Sequence, residues 1–201
     1  MSWIKTMGYE EAQGKLKNIY KRLKGPNDTV DNVLKVHSLR PHTLVGHMTL
    51  YKSVLHHTGN TLPKWYLEAI GVYVSHLNHC DYCVQHHYAG LRRLLQDETK
   101  AAQLLDALQM DKPDAFFSAQ YEQGLVYAKK LTLEPKDLIK EDISKLKASG
   151  FSEGEILEIN QVSSYFNYVN RTVLGLGTDT KGDVLGLSPN ASDEPENWSH
   201  N

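Results

Sequence analysis

The chain has 201 residues, 40% of them hydrophobic and 23% charged, with 22 Lys and Arg against 24 Asp and Glu for a formal net charge of −2. That length buries a real core as one domain or two small fused halves, and the near-neutral balance gives no electrostatic case for a nucleic acid or an anionic membrane as partner. No apolar run approaches a membrane span, and the segment Met1-Ser2-Trp3-Ile4-Lys5-Thr6 lacks the apolar stretch of a secretory signal, so a cytoplasmic location is expected.

Helical signals dominate from the N-terminus onward. Over 10–23, Ala12, Leu16, Ile19, Tyr20 and Leu23 form an apolar stripe at helical spacing, which Pro26-Asn27 punctuates. A short helix over 30–38 is expected to stop at the Arg40-Pro41 step, because a residue before proline avoids helical backbone. The next helix, 42–57, carries Leu44, Met48, Tyr51 and Leu55 on one face. Pro63 then opens a helix over 64–77. Trp65, Leu67, Ala69, Ile70, Val72, Tyr73 and Val74 leave it so little polar surface that it is expected to be central.

A break at Asn78-His79 leads into a helix over 80–95. Asp97 is the expected N-cap of a helix over 98–108, and segments 113–130, 135–148 and 152–174 complete the set. Gly150 ends one of these, and Gly175 with Gly177 ends the last. No two-residue alternation long enough for a sheet occurs. The expected fold class is therefore all-α, with one domain over 1–177. Its core motif region spans about 42–95 and its second helical half about 113–174. Residues 178–201, rich in Gly, Pro, Ser, Asn and Asp, read as an extended C-terminal arm whose Trp198 docks on a neighbour or on the body of the protein. Aligning Glu158 with Glu68 gives a weak internal echo in which Asn170 and Val173 fall on Cys80 and Cys83. A duplication that has lost its thiols and coincidence among amphipathic helices account for it equally well.

Chemistry concentrates in His79-Cys80-Asp81-Tyr82-Cys83. In a reducing compartment, cysteines three apart are more often metal-binding or redox-active than structural. At a helix start, Cys83 lies under Cys80 and His87 one turn below Cys83, since residues three and four apart share a face. Free N–H groups and the dipole of a first turn favour a thiolate, and an imidazole can take or return its proton. Having His87 one turn below, Cys83 is expected to be the more acidic and reactive thiol. Glu68 lies ten residues before the reversal and His87 nine after it, so a helical hairpin would bring them face to face. Glu68 is also the only acidic residue of the 64–77 helix. A buried lone carboxylate needs a partner, and His87 would gain orientation and basicity from it, as in a catalytic triad.

Two other readings of the same residues stand beside this one. His76, His79, Cys80, Cys83, His86 and His87 contain enough ligands for a Cys2His2 zinc set, although structural zinc usually draws a second pair from a distant segment. Inert burial of both thiols sits poorly with the polar neighbours Asp81, Gln85 and His86. The remaining histidines, His37, His42, His47, His56 and His57, are expected to be surface or packing residues.

The pattern Glu68, eleven residues, Cys80-Asp81-Tyr82-Cys83, three residues, His87 resembles the alkyl hydroperoxidase D-like branch of the carboxymuconolactone decarboxylase superfamily. Gly150-Phe151-Ser152 onward to Tyr165-Phe166-Asn167-Tyr168-Val169-Asn170-Arg171 looks like the C-terminal helices of its peroxidase-related subgroup. The resemblance implies a multi-helical bundle that forms trimers or hexamers and reduces peroxides with paired thiols. By position it implies that Cys83 is the peroxidatic cysteine, Cys80 the resolving partner and proton donor, and Glu68 with His87 the proton relay. No cofactor or metal is implied. The substrate is a peroxide and the electrons come from an external dithiol, in keeping with the lack of a dinucleotide fingerprint.

One departure stands out: the best-studied branch has a histidine where this chain has Tyr82. A phenol does not titrate near neutrality, so that histidine's role is absent or falls to His79 or His86. The decarboxylase branch lacks the paired cysteines, which argues against its activity here. The alternatives are a thiol–disulfide exchange partner of another peroxidase, or a Cys/His metal-binding module. Self-association is further expected because Tyr51, Phe116, Phe117, Tyr121 and Tyr127 exceed what a small core absorbs, and because Trp198 on an extended arm suits a neighbour's groove.

Overall fold

The computed structural model describes residues 2–199, and all the extended regular structure among them is helical. The elements are α1 (Gly14–Leu23), α2 (Asn32–Lys35), α3 (Pro41–Tyr51), α4 (Lys64–Leu77), α5 (Asp81–Leu95), α6 (Glu98–Gln109), α7 (Ala119–Leu133), α8 (Lys140–Ala148) and α9 (Glu153–Gly175). This is the all-α fold expected from the periodicity. A wider π turn over Lys52–His56 continues α3.

Local chemistry sets most boundaries. Pro63 immediately precedes α4, and Asp97 caps α6 by accepting from the Lys100 N–H at 2.9 Å. Ser152 and Glu155 exchange hydrogen bonds in a capping box at the start of α9. Two helices begin later than their sequence pattern predicts. Pro113–Ala115 and Pro135–Asp137 each form a separate 3-10 turn, and the chain then passes through an extended residue, Ser118 or Ile139, before α7 or α8 can start.

The centre of the molecule is α4, whose residues from Tyr66 to Ser75 are all buried, and it packs against α5, α7 and α9. Gly71 lets α9 come close: a methyl group there would fall 2.2 Å from the Phe166 ring. A second apolar cluster joins Leu16, Ile19, Tyr20 and Leu23 of α1 to Leu34, Leu44 and Met48.

Of the two docking places expected for Trp198, the body of its own chain is the one observed, and the expectation of surplus surface aromatics is overturned. Trp198 is 1% exposed and belongs to this second cluster, with the Arg22 guanidinium over its ring at 4.0 Å. The arm therefore anchors on its own chain. The aromatic residues of α3, α7 and the segment before α7 leave no patch either. Phe117 and Tyr127 are buried, while Tyr51, Phe116 and Tyr121 pack against the main core. The exposed apolar side chains nearby are aliphatic, such as Leu133, Ile139 and Leu157. Among the described residues, no helix is long and apolar enough to cross a membrane.

Candidate active site

The site is built on the turn between α4 and α5. Helix α4 ends in a Schellman arrangement: His79 takes the left-handed conformation (φ 55°), its N–H donates to His76 O at 2.9 Å, and the Cys80 N–H donates to Ser75 O at 2.9 Å. A left-handed non-glycine residue costs about 1–2 kcal/mol, and here it makes Cys80 the N-cap of α5 with Cys83 at its third helical position.

Both cysteines are free thiols, buried, with their sulfurs 3.1 Å apart. The thiol–thiol hydrogen bond lowers the pKa of Cys80 and raises that of Cys83; burial pushes both up. The backbone N–H of Cys83 points at the Cys80 sulfur, and the Asn170 amide lies against both, each favouring negative charge. The pair thus gives up its first proton from Cys80 and holds the second tightly on Cys83. This reverses the acidity expected from sequence. The cap position decides it, because no hydrogen bond joins His87 to either sulfur among the described residues.

Glu68 and His87 meet as the spacing predicts. Glu68 is 2% exposed and its Oε2 lies 2.7 Å from His87 Nδ1. With Nδ1–H donated to the carboxylate, Nε2 is the nitrogen left to exchange protons. The His87 ring is held edge-on to Phe166 (centroids 4.5 Å apart) and to Tyr51 (6.0 Å). Cys83, Glu68 and His87 all line one cavity of about 60 Å³, walled by Tyr51, Tyr165 and Val169 and by arm residues including Gly186 and Pro189. Cys80 lies behind Cys83, off the cavity wall.

Several functional contacts were missed by sequence reasoning. Asn170 is fully buried, donates to Ser75 Oγ at 3.0 Å and accepts from Asn78 Nδ2 at 2.9 Å, so its amide is fixed beside the sulfurs. Its signal was one amide on the apolar face of α9. His47 also lines the cavity, and burial first, then the neighbouring His37 and His87, lowers its pKa to about 3. Tyr82 and His86 line the same cavity and meet the arm there. The Tyr82 hydroxyl donates to Asp183 Oδ2 at 2.6 Å, His86 Nε2 lies 3.3 Å from the same oxygen, and burial pushes the phenol's pKa well up. The six candidate zinc ligands do not converge. Among the described residues, no three His, Cys, Asp or Glu side chains gather as a metal site.

Fold and site together define a class: an all-α protein of AhpD-like architecture in which one thiol of a dithiol and a carboxylate–imidazole pair line one cavity. Residues 46–120 match the Carboxymuconolactone decarboxylase family. The crystal structure of an uncharacterized peroxidase-related protein from Silicibacter sp. TM1040 is similar at 26% identity, covering 83% of this chain and 87% of that one, with a TM-score of 0.71. An uncharacterized peroxidase-related protein with an alkylhydroperoxidase AhpD core, from Ralstonia eutropha JMP134, shares the fold at 20% identity, 89% and 92% coverage and a TM-score of 0.77. A variant of the debrominase Bmp8 in complex with 2,3,4-tribromopyrrole shares it at 18% identity, 88% and 90% coverage and a TM-score of 0.71. No curated protein matches the chain. The family match over residues 46–120 and the likeness to these peroxidase-related proteins support a place in the carboxymuconolactone decarboxylase/AhpD superfamily.

Proposed function

We propose that the protein is a thiol-dependent peroxidase acting on hydrogen peroxide or an organic hydroperoxide. The observation that carries this reading is that Cys83 and His87 line the same small cavity, each backed by its own partner, Cys80 at 3.1 Å and Glu68 at 2.7 Å. A peroxide in that cavity meets a sulfur on one wall and a proton-exchanging nitrogen on another.

The Cys83 proton passes to Cys80, across the short sulfur–sulfur contact, or to His87 Nε2. The Cys83 thiolate then attacks one peroxide oxygen. An S–O bond forms, the O–O bond breaks, and the leaving oxygen takes that proton back from Cys80 or His87 to depart as water or an alcohol. Sulfur loses two electrons and the peroxide gains them. The Cys80 sulfur next attacks the Cys83 sulfenic acid, forming the disulfide and releasing water before a second peroxide can overoxidise it. An external dithiol restores both thiols by exchange, taking the disulfide itself.

Burial of both sulfurs favours a small substrate over direct exchange with a partner protein, which distinguishes this reading from the exchange-partner alternative. We also propose self-association, on the family resemblance alone, and a cytoplasmic site of action. The test is peroxide consumption by the purified chain with excess dithiol. Catalytic turnover of hydrogen peroxide is expected, and consumption no faster than with dithiol alone would overturn the reading.

A further inference from the structure

We infer that the C-terminal arm is the specificity element of the thiol cavity, its residues 183–189 forming a fixed wall that limits the peroxide to hydrogen peroxide or a short alkyl hydroperoxide. The inference rests on the peroxidase reading and adds the substrate's size.

The arm is latched to the thiol turn itself. The Asp183 side chain is wholly buried. It accepts from the Tyr82 hydroxyl at 2.6 Å and from the Asn32 backbone N–H at 3.0 Å, and Tyr82 sits between the two cysteines. Tyr82 in turn accepts from the Val33 N–H at 3.0 Å, so the α2 backbone joins the same network. A buried carboxylate with these donors holds the chain in one place.

Three residues on, the arm backbone presses against α5. Gly186 has φ +78°, and a methyl group there would fall 2.9 Å from backbone atoms of Ala89 and Gly90, close after His86 and His87. Only glycine suits both that dihedral and that approach. Beyond the cavity, Lys52 Nζ donates to Asn190 O, and Trp198 is seated in the second apolar cluster. The wall is held at both ends.

What it encloses is small. About 60 Å³ is room for a few water-sized molecules. Hydrogen peroxide fits, whereas the phenyl ring of cumene hydroperoxide has no space unless the arm lifts. Tyr82, which replaces the titratable residue suggested by the resemblance, thus serves to hold the wall.

Two variants lift the arm without touching Cys80, Cys83, Glu68 or His87. Gly186→Ala forces a methyl group against the α5 backbone, and Asp183→Asn keeps the shape while removing the charge of the latch. Two ratios are read on each. One is kcat/KM for cumene hydroperoxide over that for hydrogen peroxide. The other is the rate of Cys83 alkylation by a bulky aryl maleimide over that by iodoacetamide. Both ratios are expected to rise at least about tenfold in Gly186→Ala and to rise less in Asp183→Asn. Should Gly186→Ala not fold by circular dichroism, the isosteric Asp183→Asn carries the comparison. Ratios within twofold of the parent in the folded variants would overturn the inference. A chain inactive on both peroxides would defeat the peroxidase reading alone, since the alkylation ratio still reports on the arm.

Discussion

Replacing Glu68 by glutamine changes one charge and almost no volume at the centre of α4. The carboxylate is 2% exposed and lies 2.7 Å from His87 Nδ1, so its interaction with the ring is little screened by water. A hydrogen bond involving a charged group contributes about 1.5–3 kcal/mol and a neutral one about 0.5–1.5. The variant therefore forfeits about 1–2 kcal/mol when the imidazole gains positive character during proton transfer. At about 1.4 kcal/mol per decade of rate, kcat/KM for peroxide is expected to fall about 5- to 30-fold. The glutamine carbonyl can still accept from Nδ1–H, so the tautomer survives and the loss stays well short of the roughly 10⁴-fold that follows a wrong tautomer in a serine-protease triad. Removing a buried charge relieves desolvation, so thermal stability is expected to change little. The assay is peroxide consumption under excess dithiol, with free-thiol content and helical circular dichroism matched to the parent. A kcat/KM within twofold of the parent would refute the assignment of Glu68 and His87 to a proton relay.

The other expectations concern the thiols and acid stability. Cys83→Ser is expected to abolish turnover, while Cys80→Ser leaves one slow oxidation of Cys83 that ends as sulfinic acid by mass spectrometry; sustained turnover in either variant contradicts the two-thiol cycle. Limited alkylation is expected to label Cys83 before Cys80, because Cys83 lines the cavity and Cys80 does not, although Cys80 is the more acidic. Labelling of Cys80 first would show that acidity outweighs access. His47 titrates near 3 in the folded chain against about 6.5 unfolded. Between those values the unfolded chain binds the proton and the folded chain does not. Its contribution is therefore complete above pH 6.5 and falls by up to about 1.4 kcal/mol per unit as pH drops toward 3. Urea unfolding at pH 7 and pH 5 is expected to show a smaller pH difference in His47→Gln than in the parent, and equal differences would contradict this.

Much of the fold was legible because its signals are local. The limits of α4 follow from an apolar run between Pro63 and Asn78, and α9 begins at a capping box readable as Ser152 and Glu155. Prolines 113 and 135 carry a helix-start signal, yet each opens a 3-10 turn of its own that ends before the α-helix begins. The pairing of Glu68 with His87 was legible because a helical hairpin fixes which residues face each other. The acidity of the thiols was not, since it depends on which sulfur the Cys83 N–H faces. Nor was the arm. Tyr82 and Asp183 are 101 residues apart, and a Gly-, Pro- and Ser-rich stretch has no periodicity to show where it returns. Trp198 was correctly read as an anchor, but a side chain alone does not say whether its groove belongs to the same chain or to another.

The most direct test of the account is free-thiol titration with intact mass measurement before and after one equivalent of hydrogen peroxide. The chain starts with two free thiols, Cys80 and Cys83. Both are expected to disappear together, with the mass falling by two hydrogens and recovering on addition of dithiothreitol. Two thiols persisting after an excess of peroxide, or a gain of oxygen on one sulfur with no bond to the other, would contradict the account.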